Sequence, residues 1–481
     1  MLKIKDYIIK KNVHIYRHGG LNIAYDVNSG SLHVLDDHTY ALIEEMKDLQ
    51  DQDPNMLLAG EKLLAKVGKN LSATVKKEIL SELEELQNQS LLFSQEAEET
   101  EPCYPDPPLI KAICLHVAHD CNLRCLYCFA GTGSFKGQRE LMTSETGKRA
   151  LDFLLKHSGN RRQCEVDFFG GEPLLNMSVI KELITYGKTV AQQAGKKIKF
   201  TLTTNAVLLD KTIADYLEKE GVSVVLSLDG RKEVNDRMRP FPNGKGSYDN
   251  IVPQILYFTK LRPGSSPYAV GQYYYVRGTY TRYNTDFYKD VLHMADLGIK
   301  RISVEPVIAS PNHDYAFREE DIDKIKESYD ILGEKLLEYR QKGQEFSFFH
   351  FNAGLDEGPC LPKRLSGCGA GHEYVAISPD GSIYPCHQFV GQEEYKLGTV
   401  YQDNPLKREL MQKFRGAHVY NKKDCRICWA RFSCSGGCHA ANAAFSGELT
   451  KVYSLGCELQ KKRLEVAYYL KIKEAQQIET I

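Results

Sequence analysis

The sequence predicts an α/β protein with a partial (β/α)6 barrel of the TIM type at its centre. Three observations predict it. Strand-like and helical runs alternate from Pro108 onward, an acidic, proline-bearing stretch separates them from a smaller unit, and cysteines accumulate after residue 360. The 481 residues are enough for about three domains. The predicted boundaries are 1–95 for a small α+β unit, 96–108 for a linker, 109–320 for the barrel, 321–359 for a bridging region and 360–481 for the cysteine-rich part.

Composition excludes several classes of protein. The 62 Lys and Arg residues and the 63 Asp and Glu residues leave a net charge of −1, which argues against nucleic-acid binding by bulk charge. No apolar run approaches the ~20 residues of a membrane span, and the first residues lack the pattern of a signal peptide. A cytoplasmic location with reduced thiols is therefore expected, and metal or iron–sulfur ligation explains the 14 cysteines better than disulfides do.

The small unit begins with three strand-like runs and continues with three helices. The strands are predicted at Val13–Arg17, Asn22–Val27 and Ser31–Leu35, with a turn at Asn28–Gly30 between the last two. Asp37 is expected to cap the first helix, and the third helix carries an apolar stripe at helical spacing.

Six strand-like runs and five helical runs alternate in the barrel region. The strands are predicted at Ile110–Val117, Cys164–Phe169, Ile198–Thr203, Ser223–Ser227, Tyr273–Thr279 and Arg301–Val304. The helices are predicted at Glu145–Lys156, Ser178–Gln193, Lys211–Glu220, Tyr248–Leu261 and Asp286–Leu297. Repeated β–α units form a parallel sheet through right-handed crossovers, and active sites on such sheets lie at the carboxyl ends of the strands. After about residue 350 we expect little regular structure before a closing helix near Glu458–Lys471.

Three cysteines directly follow the first barrel strand in the pattern C-x3-C-x2-C. On one short loop, Cys121, Cys125 and Cys128 can hold three corners of a [4Fe–4S] cluster, which leaves the fourth iron without a protein ligand. An iron with an open position can bind and activate another molecule. The alternative is zinc, but a structural zinc site normally needs four protein ligands and this loop offers three.

This motif, with Tyr127 before its last cysteine, resembles that of the radical S-adenosylmethionine (SAM) superfamily. The resemblance implies a radical SAM barrel in which the open iron chelates SAM and Tyr127 borders the adenine. The motifs Gly-Gly-Glu-Pro, Leu-Thr-Thr-Asn and Ser-Leu-Asp-Gly end the next three strands, where that superfamily has its SAM contacts. The SAM-binding residues implied are Tyr127, Gly170, Gly171, Glu172, Thr203, Asn205, Ser227 and Asp229, together with Arg237 and Arg239, either of which could meet the SAM carboxylate.

Seven cysteines between residues 368 and 457 are similar in spacing to the SPASM extension of peptide-modifying radical SAM enzymes. That extension carries two further [4Fe–4S] clusters, so the resemblance implies three clusters in all. It assigns Cys360, Cys368, Cys386 and Cys438 to auxiliary cluster I, and Cys425, Cys428, Cys434 and Cys457 to auxiliary cluster II. Two alternatives stay open for the fourth ligand of auxiliary cluster I, namely Cys360 and a thiol of the substrate. A zinc knuckle is the alternative for the close cysteine pairs.

The small unit 1–95 resembles the winged-helix-like peptide-recognition element of ribosomal-peptide maturases, which bind a leader peptide as an added strand. The leader-binding residues implied are Ser31, Leu32, His33, Val34 and Leu35. Residues 21–37 and the runs that follow Cys386 and Cys434 are similar to those of SCIFF (ranthipeptide) maturases, which act on short cysteine-rich peptides that acquire thioethers. A generic winged-helix or dimerisation unit is the alternative for residues 1–95.

The sequence therefore predicts an enzyme that uses a 5′-deoxyadenosyl radical to form thioether cross-links within a cysteine-rich ribosomal precursor peptide. The expected partners are that peptide and a flavodoxin- or ferredoxin-type electron donor, with no nucleic acid and no membrane. Alternatives on the same scaffold are carbon–carbon cross-linking, decarboxylation and sulfatase-type oxidation of Ser or Cys. An alternative of another class is a non-catalytic zinc- and peptide-binding module. The sequence indicates no catalytic base.

Overall fold

The computed structural model describes residues 3–4, 7–52, 58–59, 71–96, 102–135, 137–262, 273–352, 361–403 and 405–479. Two predictions fall outside these ranges. One is Cys360, and the other is the second of the three helices predicted for residues 1–95.

A three-stranded antiparallel sheet forms the centre of residues 7–96. Its strands are β1 (Val13–His18), β2 (Leu21–Asp26) and β3 (Leu32–Leu35), in the order β1-β2-β3. Each begins within one residue of its predicted start. The helices described here are α1 (Ile9–Asn12), α2 (Asp37–Gln52) and α3 (Ala73–Asn88). A short antiparallel pair joins Lys3–Ile4 to Leu58–Ala59.

The cap of helix α2 differs from the prediction by one position. Asp36 Oδ1 accepts the backbone N–H of His38 at 2.7 Å and that of Thr39 at 3.0 Å. Asp37 is the first residue of the helix, so the prediction that it provides the cap was wrong. A capping side chain must reach the free N–H groups of the first turn, and Asp36 is the residue placed to do so.

Six parallel strands in sequential order form the partial barrel, which confirms the predicted fold class. They are β4 (Ala112–Ala118), β5 (Gln163–Gly170), β6 (Lys197–Thr204), β7 (Ser223–Ser227), β8 (Tyr274–Tyr280) and β9 (Arg301–Pro306). The helices between them are α4 (Ser144–His157), α5 (Met177–Gln193), α6 (Lys211–Glu220), α7 (Lys232–Met238), α8 (Tyr248–Lys260) and α9 (Tyr288–Asp296). One face of the sheet packs under these helices, and the carboxyl ends of the strands open to one side.

The sheet continues beyond the six strands at both edges. Strand β10 (Ser347–Phe348) pairs parallel to β9, and β11 (Tyr374–Ile377) pairs parallel to β4. Strands β12 (Ser382–Tyr384) and β13 (Gly398–Thr399) follow antiparallel. The expectation of little regular structure after residue 350 was therefore wrong. Strands β11 and β12 are almost wholly buried and very short, so they lack the apolar–polar alternation that marks a strand in a sequence.

A long helix that the sequence analysis did not predict crosses the bridging region. Helix α10 (Ile322–Gln341) packs on the closing helix, and Gly333 permits the contact because a Cβ there would lie 2.7 Å from Val466 Cγ1. The later helices are α11 (Leu361–Ser366), α12 (Arg408–Arg415), α13 (Lys423–Arg426), α14 (Arg431–Cys434), α15 (His439–Ser446) and α16 (Ser454–Glu479). None of the described helices is both long enough and apolar enough to cross a membrane.

The amino-terminal unit packs against the carboxyl-terminal part of the chain. The His14 ring on β1 stacks on Trp429 with a centroid distance of 3.8 Å and an interplanar angle of 3°. The buried Arg431 donates to Lys11 O at 2.9 Å and to Asn12 Oδ1 at 2.7 Å. The segment 428–434 thus contains Cys428 and Cys434 as well as the residues that contact the amino-terminal sheet.

Candidate active site

A loop with three thiols follows β4 at the carboxyl end of the barrel. It carries Cys121, Cys125 and Cys128, whose side chains are close enough to interact electrostatically. Burial raises the pKa of Cys121 to about 12 and that of Cys125 to about 11, and the neighbouring thiols act in the same direction. Buried thiols grouped in this way become thiolates when a metal centre displaces their protons.

Backbone hydrogen bonds hold this loop over the mouth of the barrel. The N–H of Arg124 donates to Pro240 O at 2.8 Å, and the N–H of Leu126 donates to Met238 O at 2.9 Å. Met238 is the last residue of α7, so the loop after the first barrel strand is tied to the helix after the fourth.

Two glycines let the end of β5 approach the thiol loop. Gly170 has a φ of 131°, and a Cβ there would lie 2.1 Å from Ala118 O. A Cβ on Gly171 would lie 2.1 Å from Asp120 O. A side chain at either position would push the loop away, so the Gly-Gly pair is a requirement of the close packing.

Glu172 is fully buried and joins the ends of β5 and β6. Its Oε1 accepts hydrogen bonds from Thr204 Oγ1 at 2.7 Å and from Leu174 N–H at 3.0 Å, and its Oε2 accepts one from Asn205 N–H at 2.8 Å. Burial raises the pKa of Glu172, and the three hydrogen bonds oppose the shift. A carboxylate offers about four acceptor positions, and the described residues fill three of them.

Tyr127, Asp229 and Arg239 form a connected group beside the thiol loop. The Tyr127 hydroxyl contacts both Asp229 oxygens at 2.7 and 2.8 Å, and Arg239 Nη1 donates to the Tyr127 hydroxyl at 2.9 Å. Burial raises the pKa of Asp229 to about 6, while Arg239 acts against the shift. Arg239 Nε is buried without a hydrogen-bond partner among the described residues. Such a donor marks a place where a ligand can accept a bond.

The other predicted SAM contacts differ in their surroundings. Thr203 and Ser227 are partly buried at the ends of β6 and β7. Asn205 donates to Asn122 Oδ1 at 2.7 Å, while Arg237 is exposed with its guanidinium 5.2 Å from the Tyr283 ring centroid. The structure therefore brings Arg239, not Arg237, to the loop.

One residue of this site was missed by the sequence analysis. Asn122 Nδ2 is a second buried donor without a partner among the described residues. Its position directly after Cys121 was the only available signal.

The remaining grouped cysteines form two sets in the carboxyl-terminal part. The first set is Cys368, Cys386 and Cys438, and the second set is Cys425, Cys428, Cys434 and Cys457. Burial raises the pKa of Cys425 to about 12 and that of Cys457 to about 11, and the other thiols of the set add to the shift. No three of the described His, Cys, Asp and Glu side chains are placed to share a single metal ion.

Comparison with known proteins also separates the barrel from the cysteine-rich carboxyl-terminal part. Residues 115–266 match the radical SAM superfamily, and residues 368–429 match SPASM, an iron–sulfur cluster-binding domain. The chain carries a radical SAM domain and a SPASM domain.

Relatives that align with most of the chain include named enzymes. The radical SAM cyclopropyl synthase TigE of Paramaledivibacter caminithermalis is 23% identical over 73% of this chain and 72% of its own. A cysteine-type anaerobic sulfatase-maturating enzyme of Clostridium perfringens is 26% identical over 75% of this chain and 97% of its own. Streptococcus suis SuiB bound to its precursor peptide SuiA has a TM-score of 0.52 and 17% identity, over 93% of this chain and 98% of SuiB. SuiB has also been solved with SAM bound.

A cleft of about 330 Å³ lies between the radical SAM and SPASM domains. Phe129 and Phe135 line it beside the first thiol loop, and Ile308 lines it after β9. Phe389 and Cys438 line it on the SPASM side, where Cys438 is exposed. Apolar side chains share the walls with the polar side chains of Gln388, Gln392 and Glu394.

Charged residues inside the barrel were also missed. Asp167 on β5 faces Arg277 on β8, and burial raises the pKa of Asp167 to about 7 against the opposing effect of Arg277. Glu305 on β9 pairs with His350, whose Nε2 lies 2.8 Å from Glu305 Oε2. In the sequence these residues look like ordinary polar positions of half-buried strands.

Proposed function

We propose that this chain is a radical SAM peptide maturase that forms thioether cross-links within a cysteine-rich ribosomal precursor peptide. The proposal is carried by the cleft that has Phe129, the residue after Cys128, on one wall and Cys438 on the other. A peptide in this cleft would present a carbon atom to one wall and a thiol to the other, and holding both reactants in place is what the formation of a C–S bond needs.

The three grouped sets of thiols are the proposed cluster ligands. Cys121, Cys125 and Cys128 hold a [4Fe–4S] cluster with one open iron, because soft thiolates suit iron–sulfur centres and the loop supplies three of them. With SAM bound, a cluster held there would supply a 5′-deoxyadenosyl radical that takes one hydrogen atom from the peptide. Closing the C–S bond would then release the thiol proton and one electron, which the auxiliary clusters would accept. The proposed auxiliary ligands are Cys368, Cys386 and Cys438 for cluster I and Cys425, Cys428, Cys434 and Cys457 for cluster II.

Arg239 is the proposed partner of the SAM carboxylate. Its guanidinium is held by the Tyr127 hydroxyl, and its Nε is a buried donor that lacks a partner among the residues described. Tyr127 is fixed in turn by Asp229, so its ring can border the adenine. The other proposed contacts are Gly170, Gly171, Glu172, Thr203, Asn205 and Ser227.

Strand β3 is the proposed docking site for the leader peptide. It pairs with β2 on one side and with no other described strand. Asp26 N–H donates to Ser31 O, and pairing alternates along an antiparallel ladder, so the backbone groups of Leu32 and Val34 face the open edge. These groups can receive a peptide as a further strand.

The test uses the anaerobically reconstituted enzyme, SAM, a reductant and a candidate cysteine-rich precursor peptide. Each thioether removes two hydrogens from the peptide mass and blocks one thiol against alkylation. Loss of two hydrogens with every thiol still alkylated would instead indicate a carbon–carbon cross-link, the class to which the cyclopropyl synthase TigE belongs by name. A change at one Ser or Cys without a ring would indicate oxidation of the sulfatase-maturating type.

A non-catalytic zinc- and peptide-binding module is the alternative of another class. Iron analysis separates it from the enzyme, because a zinc module would bind no iron and leave SAM intact. The buried donors Arg239 Nε and Asn122 Nδ2 favour the enzyme, since a zinc scaffold has no ligand for them.

A further inference from the structure

A lysine without exposed surface lies between the two thiol sets of the SPASM domain. Lys422 has a relative exposure of 0%, although lysine is among the residues least often buried. Its Nζ donates a hydrogen bond to Gly436 O at 2.7 Å. Gly436 lies in the segment that connects Cys434 of the second set to Cys438 of the first set.

The backbone of this connecting segment turns sharply beside the Lys422 ammonium group. Ser435, Gly436 and Gly437 have φ values of 60°, 81° and 72°, so three successive residues are left-handed. The N–H groups of Gly436 and Gly437 turn toward the Cys434 sulfur. A Cβ on Gly436 would lie 2.9 Å from Lys422 Nζ, so a side chain at residue 436 would displace the ammonium group from its present place.

The sulfur groups that face Lys422 come from both sets. Cys425, Cys434 and Cys457 of the second set and Cys438 of the first act on it electrostatically. Within the described residues it forms no ion pair with a carboxylate. A buried ammonium needs negative charge nearby, and a [4Fe–4S] cluster with thiolate ligands carries net negative charge.

We propose that Lys422 is a positioning residue whose charge is shared by both auxiliary clusters and raises the reduction potential of each. The inference rests on the cluster assignment of the proposed function, but not on the thioether chemistry. A nearby positive charge stabilises the more negative, reduced form of a cluster. Because one ammonium faces ligands of both clusters, its removal lowers both potentials together.

The test is an anaerobic redox titration followed by electron paramagnetic resonance. Cys121, Cys125 and Cys128 are replaced by Ala in the full-length chain, so that the auxiliary clusters alone are observed. In this background Lys422→Met removes the charge and the hydrogen bond, Lys422→Gln removes the charge but keeps a donor, and Lys423→Met changes an exposed neighbour of equal charge. We expect both Lys422 variants to keep the iron content of the auxiliary clusters. The equilibrium constant for reduction of each cluster should fall about tenfold, which is a shift of ~59 mV toward negative potentials for a one-electron couple.

Unchanged potentials in iron-replete Met and Gln variants would overturn the proposal, as would an equal shift in Lys423→Met. If the Met and Gln variants lose auxiliary iron, Lys422→Arg decides. If the Arg variant regains its auxiliary iron, the site requires a positive charge, which supports the proposal. If the Arg variant also lacks auxiliary iron, Lys422 acts only through its shape, and the proposal is overturned. The titration contains neither peptide nor SAM, so its outcome is separate from that of the cross-linking test.

Discussion

Arg239 and Arg237 stand two positions apart on the chain, yet their surroundings differ completely. Arg239 is buried against Tyr127 and Asp229, and Arg237 lies on the surface over Tyr283. The sequence could not separate them, because both follow the Ser-Leu-Asp-Gly motif closely. The separation arises at the end of α7, where Arg239 leaves the helix and turns inward.

This difference gives a matched pair of variants. Replacing Arg239 by Gln should weaken SAM binding by about ten- to a hundredfold, because a charge-assisted hydrogen bond contributes about 1.5–3 kcal/mol. Replacing Arg237 by Gln should change it less than about threefold. Anaerobic equilibrium dialysis with SAM measures both, and equal effects of the two changes would refute the assignment of Arg239.

Asp167 gives a prediction of pH dependence. Burial raises the pKa of its folded-state carboxyl from 3.8 to about 7. The unfolded chain therefore loses this proton first as the pH rises, and the contribution of Asp167 to stability falls between about pH 4 and pH 7. Between pH 5 and pH 8, the free energy of unfolding of Asp167→Asn should rise by at least about 1 kcal/mol relative to that of the wild type. Anaerobic urea unfolding at the two pH values checks this, and a variant that follows the wild type at both would contradict it.

The proposed auxiliary cluster I needs a fourth ligand, and Cys360 is one of the two candidates. If it is the fourth ligand, Cys360→Ala should lose iron and the absorbance of one cluster, while Cys103→Ala, another cysteine outside the three sets, should lose neither. If a substrate thiol takes the position instead, Cys360→Ala should keep its full iron content. Iron analysis after anaerobic reconstitution distinguishes the two cases, and a full complement in Cys360→Ala would exclude Cys360 as a ligand.

At the scale of elements, the free edge of β3 is the proposed binding site of the leader peptide. Val34 is 47% exposed, and its N–H faces away from β2. Val34→Pro removes this N–H without breaking the bonds to β2, because proline is tolerated at the free side of an edge strand.

We therefore expect Val34→Pro to weaken binding of a labelled leader peptide at least about tenfold, with SAM cleavage retained. Val34→Ala keeps the N–H and should bind within about twofold of wild type. Fluorescence anisotropy compares the two variants, and normal leader binding by Val34→Pro would rule out strand addition at this edge.

The elements also show what the sequence can and cannot predict. The barrel strands were predictable because their apolar runs alternate with amphipathic helices, and the three barrel-end motifs fell at strand ends. Strands β11 and β12 were not, because they are short and buried on both faces. The two auxiliary cysteine sets were implied by the resemblance to the SPASM extension. Asn122, Asp167 and Lys422 have no sequence pattern and acquire their roles only from neighbours brought by the fold.

At the scale of the whole molecule, the amino-terminal unit and the SPASM domain are one packed assembly. Trp429 and Arg431 lie between the cysteines of the second thiol set and hold His14, Lys11 and Asn12. Deleting residues 1–95 would leave the buried Arg431 without these partners, so the deletion would disturb the SPASM domain as well as leader binding. Single changes on β3 are therefore the cleaner probe of leader recognition.

The proposed function depends above all on a cluster whose open iron binds and cleaves SAM. The most direct measurement is 5′-deoxyadenosine formation by the anaerobically reconstituted protein with SAM and reductant. We predict formation by the wild type and by Cys164→Ala, which changes a buried cysteine outside the three sets, and none by Cys128→Ala. Undiminished 5′-deoxyadenosine formation by Cys128→Ala, or none by the wild type, would contradict the account.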